Sequence, residues 1–205
     1  PSSPMAKLKA CCFKHRLKKQ NYGELIMKSN TKYLCDAAMI AAVYVALSLL
    51  FMPISFGPIQ CRISEMLTVL PAFLPAAIPG VAIGCLIANI LGGAILPDIV
   101  FGTFATLIAA VASYKLTAAM QQNVLETRSA GISFRLLAVL PPIISNTIIV
   151  PLVLKYAYGY GDALYFMMFT VCIGEIISVA GLGNVLITIA ARLPILLNIR
   201  NRETA

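Results

Sequence analysis

The stretch RISEMLTVLPAF, residues 62–73, decides how many times the chain crosses the membrane. It is shorter than the roughly 20 residues that a spanning helix needs. It begins with a polar end that holds Arg62 and Glu65, and it closes on Pro71. Such a segment can cross only if its polar end reaches out of the hydrocarbon. The rest of the sequence therefore has to settle whether it does.

Composition places the chain among membrane proteins. It is 60% hydrophobic and 12% charged, whereas a soluble globular chain holds roughly 25% charged residues. Its 205 residues suit one set of spans and leave no room for a large second domain. The net charge of +8 does not indicate a nucleic-acid partner, because the basic residues are concentrated at the ends of apolar segments.

Positive charge favours a crossing by residues 62–73. If this segment crosses and the N-terminus is inside, fourteen of the sixteen Lys and Arg are cytoplasmic, leaving Arg62 and Lys155 outside. Without that crossing the division is nine against seven. The positive-inside rule thus predicts an all-α membrane protein, a compact bundle of six transmembrane helices with both termini cytoplasmic. The other five apolar runs are residues 33–54, 76–95, 96–117, 134–158 and 163–193.

Three regions follow from this pattern. We expect a basic, partly disordered cytoplasmic tail over residues 1–30, in which 1–4 are a remnant of cloning and either Met5 or Met27 is the start. Residues 31–195 form the predicted six-helix transmembrane domain. Residues 196–205 form a cytoplasmic C-terminal tail.

Two stripes of small residues recur at every fourth position, one on the first predicted helix and one on the third. Such stripes let helix backbones approach closely in lipid. Packing inside the bundle is the plain interpretation, and we favour it for the glycine stripe. The stripes are Ala38, Ala42 and Ala46, and Gly80, Gly84, Ala88 and Gly92.

Polar residues are few within the predicted helices. Glu175 stands roughly 18 Å along the last helix at 1.5 Å per residue, with no cation close in sequence. A lone intramembrane carboxylate is costly, so we favour a functional role for it. The candidates for a pocket that opens outward are Gln60, Arg62, Glu65, Asn89, Asp98, Asn146 and Glu175.

Structural interpretations of these residues stay open beside the functional ones. Arg62 and Glu65 are three apart and can pair on one helix face. Asp98 can stabilise the N-terminus of its helix. Asn89 and Asn146 can join helices through hydrogen bonds.

Motifs for catalysis are absent from the sequence. It has no phosphate-binding loop of the G-x-x-x-x-G-K-[ST] type, so we expect no ATP hydrolysis by this chain. The one histidine, His15, lies in the basic tail, and no cysteine pair has the C-x-x-C spacing of a metal site. We therefore expect neither an enzyme nor a metal or organic cofactor.

Three segments resemble the queuosine-precursor transporter family over about residues 28–194. They are FGPIQCRISEMLTVLPAF (56–73), AAIPGVAIGCLIANILGG (76–93) and DIVFGTFATLIAA (98–110). The resemblance implies a substrate-binding S component of an energy-coupling factor (ECF) transporter. It implies a six-helix protein of the bacterial cell membrane that binds a 7-deazaguanine precursor near its outer face. Its partners would be a transmembrane coupling subunit and two ATPases.

The same resemblance implies roles for individual residues. The alanine stripe Ala38, Ala42 and Ala46 would dock on the coupling subunit. Glu65 and Glu175 would accept ligand N–H donors or offset an ammonium, with Asp98 in reserve. The expected donors to the ligand carbonyl are Arg62, Gln60, Asn89 and Asn146, and the expected ring covers are Phe56 and Tyr44. The sequence leaves open which precursor is preferred.

A solitary proton-coupled carrier for a nucleobase-like solute is the competing hypothesis, because intramembrane carboxylates such as Glu65 or Glu175 serve as proton relays. The absence of evident inverted repeats weakens it. A membrane-embedded enzyme is disfavoured by the lack of a His or Cys constellation.

Overall fold

The computed structural model describes residues 31–55, 62–159, 161 and 163–193. All regular secondary structure in these residues is helical. The chain divides into two units, Pro1–Cys35 and Asp36–Ala205, and only the last five residues of the first unit are described. Both predicted tails lie outside the described residues, so their boundaries remain predictions.

The helices follow one another with short connections. The first helix, α1, spans Thr31–Leu50. A 3₁₀ helix and a π-helical segment interrupt the series of α-helices. In chain order the remaining elements are α2 (Met52–Ser55), the 3₁₀ helix (Ile63–Ala72), α3 (Ala77–Leu91), α4 (Leu96–Thr117), α5 (Gln121–Thr127), α6 (Ile132–Tyr156), α7 (Leu164–Glu175), the π segment (Ile176–Leu182) and α8 (Gly183–Arg192).

Within the described ranges, four helices are long and apolar enough to cross a membrane, so this is a multi-pass membrane protein. They are α1, α4, α6 and the continuous stretch Leu164–Arg192, which contains α7, the π segment and α8. The two remaining apolar helices, Ile63–Ala72 and Ala77–Leu91, are shorter. All six predicted apolar segments are thus helical. Six crossings and cytoplasmic termini remain predictions.

The 3₁₀ geometry increases the length along its axis of the short stretch that begins at Arg62. A 3₁₀ helix rises about 2.0 Å per residue against 1.5 Å in an α-helix. The ten residues Ile63–Ala72 therefore extend over roughly 20 Å, where an α-helix of equal length would cover about 15 Å. Pro71 lies inside this helix, near its end.

The glycine stripe of α3 packs against α1. A Cβ atom on Gly84 would lie 2.7 Å from Cβ of Tyr44, and one on Gly80 would lie 2.9 Å from the carbonyl oxygen of Ala37. The backbones of α1 and α3 can approach this closely only because neither glycine carries a Cβ atom. The prediction that the glycine stripe packs internally is confirmed for these two positions.

An apolar core joins the 3₁₀ helix to α6, the π segment and α8. The rings of Phe73 and Phe134 lie 5.2 Å apart at 59°, a tilted arrangement favoured by aromatic pairs. Val179 and Ile187 are buried against the same core. This core fixes the 3₁₀ helix relative to the last membrane segment.

The half-buried Arg135 holds α6 to α8 at the opposite end from Arg62. Its Nε donates to the carbonyl of Ala130, and its Nη1 donates to the backbone carbonyl and side-chain oxygen of Asn184. Its Nη2 donates to Thr188 at 3.0 Å. A guanidinium satisfied in this way is a structural brace.

Replacing Gly84 with Val should loosen the contact between α1 and α3. The new side chain meets the backbone-proximal atoms of Tyr44, which cannot swing away, and such overpacking costs about 1–3 kcal/mol. We expect a lower thermal midpoint in detergent for this variant. Gly131→Val is the control, because no atom lies within 4 Å of a Cβ built there. Equal midpoints for Gly84→Val and wild type would show that these helices do not pack as described.

Candidate functional site

Four ionisable side chains from separate parts of the chain are buried close together. Arg62 is the residue directly before the 3₁₀ helix, and Glu65 lies within that helix. Asp98 belongs to α4, and Glu175 lies at the end of α7. Each is at most 7% exposed. Burial of so many charged groups costs free energy unless partners compensate it, which makes the cluster the leading candidate for a functional site.

A small cavity lies among these side chains. Its volume is about 10 Å³ for the centre of a water molecule, which is room for roughly one water. Its wall combines polar groups with two valines from facing helices. The residues that line it are Arg62, Glu65, Gly102, Asn146, Val150, Val171 and Glu175.

Glu65 is anchored through one carboxylate oxygen. The hydroxyl of Tyr44 donates to its Oε1 at 2.5 Å, and that of Thr106 lies 3.5 Å from the same atom. Its Oε2 is buried and has no hydrogen-bond partner among the described residues. An acceptor left in this state is costly, so a ligand donor at the cavity would be favoured.

Glu175 is held in the same way from the other side. The side-chain amide of Asn146 on α6 donates to its Oε1 at 3.0 Å, and its Oε2 has no partner within the described part of the chain. Two carboxylates thus line one cavity, and each keeps one oxygen available. This arrangement suits a ligand that brings several N–H donors or a positive charge.

Each glutamate lies in or directly beside a helical segment that is not α-helical. Glu65 lies in the 3₁₀ helix, and Glu175 is the last α-helical residue before the π segment. The two irregular segments pack against each other. Directly after the π segment, a Cβ on Gly183, the first residue of α8, would lie 3.1 Å from Cγ1 of Val69 in the 3₁₀ helix. Because π segments inside α-helices often mark functional sites, the position of Glu175 supports the assignment.

Asp98 contacts Arg62 but is not among the residues that line the cavity. Its Oδ2 is 3.7 Å from Nη2 of Arg62 and accepts a hydrogen bond of 3.2 Å from the hydroxyl of Tyr158. The backbone N–H of Ile95 donates to that hydroxyl at 3.3 Å. Asp98 also stands in the first turn of α4, the position from which a carboxylate can stabilise a helix N-terminus, so that structural interpretation stays open.

The remaining predicted site residues divide into two groups. Tyr44 and Asn89 are buried, but they are not among the residues that line the cavity; Tyr44 instead supports Glu65. Asn89 lies at the edge of the cluster, with its Nδ2 3.5 Å from Sγ of Cys85. Phe56 and Gln60 fall outside the described residues, so their expected roles remain predictions.

Sequence reasoning missed four residues of the site: Gly102, Val150, Val171 and Tyr158. A Cβ on Gly102 would lie 3.1 Å from Nδ2 of Asn89, so the missing side chain makes room for the polar cluster. Spacing could have identified it, because Gly102 follows Asp98 by four residues on one helix face. The valines and Tyr158 carry no comparable signal.

Comparison with known proteins identifies the family of the chain. The profile described as "QueT transporter" matches residues 34–192. The chain belongs to the QueT transporter family. It is similar to "Queuosine precursor transporter QueT" of Lactococcus lactis subsp. cremoris (strain MG1363), with 40% identity over 83 residues. The aligned part covers 40% of this chain and 48% of that relative, about half its length. No solved structure matches the chain.

The QueT match contains the whole described site. It begins within α1 and ends at Arg192, the last residue of α8. All seven residues of the cavity wall lie inside it. The family assignment therefore applies to the part of the chain that forms the site.

Proposed function

We propose that this chain is the substrate-binding S component of an ECF importer, which captures a 7-deazaguanine precursor of queuosine at the outer face of a bacterial plasma membrane. The observation that carries the proposal is the pair Glu65 and Glu175 on one buried cavity, each with an oxygen that has no hydrogen-bond partner among the residues described. The printed name of the Lactococcus relative supports the substrate class.

The chemistry of a deazaguanine matches this pair. Its pyrimidine edge presents N–H donors, which one carboxylate can accept two at a time. Its carbonyl oxygen requires a donor, and Arg62 on the cavity wall supplies N–H groups. An aminomethyl substituent adds a cation, for which the second carboxylate is the natural counter-charge. Three of the four polar residues of the wall, Arg62, Glu65 and Glu175, thus account for the three features of the ligand.

Ligand entry requires the site to open. Small-molecule pockets typically measure about 300–1,000 Å³, whereas this cavity admits roughly one water. The elements around it must therefore separate before a bicyclic base can bind. The hydrogen bonds that Tyr44 and Asn146 donate hold the two glutamates in place while the site is closed.

The two faces of α1 support docking on a coupling subunit. One face is buried against α3, and the opposite face presents small side chains that would let another helix approach closely. The buried face holds Ala37, Ala41, Tyr44 and Ser48, and the exposed face holds Ala38, Ala42 and Ala46.

Uptake should depend on partner ATPases, because the sequence holds no phosphate-binding loop of the usual type. Cells that express the chain with a coupling subunit and two ATPases should accumulate labelled aminomethyl-deazaguanine, and an inactive ATPase should abolish this. A solitary proton-coupled carrier is the second candidate, favoured by two buried carboxylates on one cavity. Robust uptake by the chain alone in proteoliposomes with a proton gradient would establish the carrier and refute the S component.

Replacing Ala42 with Trp should block assembly with the coupling subunit and leave ligand binding intact, since the bulky ring would separate the two backbones. Co-purification with the subunit and calorimetry on the isolated chain measure the two effects. Val43→Trp is the matched control, because Val43 is exposed on α1 but points about 100° away. The docking assignment is wrong if Ala42→Trp assembles normally.

Glu65→Gln should weaken ligand binding at least about tenfold, which is roughly 1.4 kcal/mol. The change keeps the shape of the side chain but places an amide donor opposite a ligand donor. If Glu175 holds the neutral base, Glu175→Gln should behave alike. If its task is to offset the ammonium, the variant should be mild for 7-deazaguanine and severe for the aminomethyl form.

Titration calorimetry of both variants with both ligands distinguishes these cases. Glu126→Gln serves as the control, because Glu126 is exposed on α5 and is not among the residues that line the cavity. Wild-type affinity of both folded variants for both ligands would make the two glutamates structural.

A further inference from the structure

We infer that Asp98 is a positioning residue, which acts on the ligand through Arg62, and that Tyr158 holds Asp98 in place for this task. The inference rests on the proposed function and assigns different roles to residues of one buried cluster. Arg62 touches the ligand, Asp98 orients Arg62, and Tyr158 fixes Asp98.

Geometry separates Asp98 from the ligand. Arg62 and Gly102 line the cavity, whereas Asp98 is not among the lining residues. Asp98 is 1% exposed, and its Oδ2 lies 3.7 Å from Nη2 of Arg62. The carboxylate therefore contacts the guanidinium without lining the cavity itself, and from there it can set the direction in which other N–H groups of Arg62 point.

Gly102 lies next to the ion pair of Arg62 and Asp98. A Cβ on this residue would lie 3.5 Å from Oδ1 of Asp98 and 3.9 Å from Nη1 of Arg62. Both distances are ordinary van der Waals contacts, so Gly102 lies directly beside the two members of the ion pair while it also lines the cavity.

Tyr158 ties this ion pair to a second helix. It lies two residues after the end of α6, and its hydroxyl donates to Oδ2 of Asp98 while it accepts from the N–H of Ile95, just before α4. Partial burial raises the pKa of the Tyr158 hydroxyl, so the group keeps its proton and remains a donor. Because α6 also carries Asn146, this contact links both sides of the cavity.

A double-mutant cycle tests whether Asp98 acts through Arg62. With Arg62 present, Asp98→Asn should weaken binding of 7-deazaguanine about tenfold, because the neutral amide no longer orients the guanidinium. In an Arg62→Gln background the same change should matter less than about twofold. A tenfold loss in both backgrounds would show that Asp98 contacts the ligand itself, and no loss in either would show that it does nothing for binding. Both results overturn the inference.

Tyr158→Phe keeps the test decisive if a variant of the buried pair does not fold. It removes only the hydroxyl of a side chain that is 37% exposed. We expect affinity to fall by about three- to tenfold, whereas Tyr156→Phe, at a 76% exposed site nearby, should leave it unchanged. Wild-type affinity of Tyr158→Phe would refute the part assigned to Tyr158.

A ligand without the carbonyl oxygen supplies the readout that a purely structural role would not move. For 2-amino-7-deazapurine, which lacks that acceptor, Asp98→Asn and Tyr158→Phe should change affinity less than about twofold. Equal losses for both ligands would mean that these residues act on stability of the fold, which overturns the inference. If wild-type protein binds neither ligand, the proposed function fails and this inference with it. If wild type binds both and only the variants behave otherwise, the inference fails alone.

Discussion

The cost of burying charge in a membrane protein is the constraint on which this structure depends. Three carboxylates and one guanidinium lie within a few ångströms of a single small cavity, and each is at most 7% exposed. The fold compensates this cost more completely for Asp98 than for the two glutamates. Asp98 has a cation and a tyrosine hydroxyl, whereas Glu65 and Glu175 each have one satisfied oxygen and one without a partner in the part of the chain that the structure describes. The incomplete compensation lies at the cavity, and this is where a ligand gains most by supplying donors.

Departures from α-helical geometry put the two glutamates on that cavity. The 3₁₀ helix carries Glu65, the π segment begins directly after Glu175, and the two segments pack against each other. An α-helix has about 3.6 residues per turn, whereas a 3₁₀ helix has about 3.0 and a π-helix has more than four. A regular α-helix at either place would therefore turn every following side chain to a different direction. The apolar core around Phe73 and Phe134 supports both segments from the side away from the charges. Irregular helices are thus part of how the site is built.

The sequence predicts the helices well because hydropathy is summed over long runs. The predicted segment 96–117 coincides with α4, and 134–158 differs from α6 by two residues at each end. Buried polar residues were equally visible, since a Glu or Asn inside an apolar run has few explanations. The residues that contact these polar side chains could not be predicted from the sequence. The contact of Tyr158 with Asp98 joins residues 60 positions apart, and the contributions of Val150 and Val171 depend on which face of each helix turns inward. Periodicity is weak in helices that are apolar on all sides, so no sequence pattern marks that face.

The first helix connects the two halves of the proposed function. Its buried face delivers the hydroxyl of Tyr44 to Glu65, and its opposite face presents Ala38, Ala42 and Ala46. The glycines of α3 bring its backbone so close that neither face can shift without the other, since a Cβ at Gly84 would already meet Tyr44 at 2.7 Å. A partner that displaced α1 at the alanine face would therefore move the donor that satisfies Glu65. Under the proposed function, ligand capture and docking would both depend on α1, and each event would change the free energy of the other through the Tyr44–Glu65 hydrogen bond.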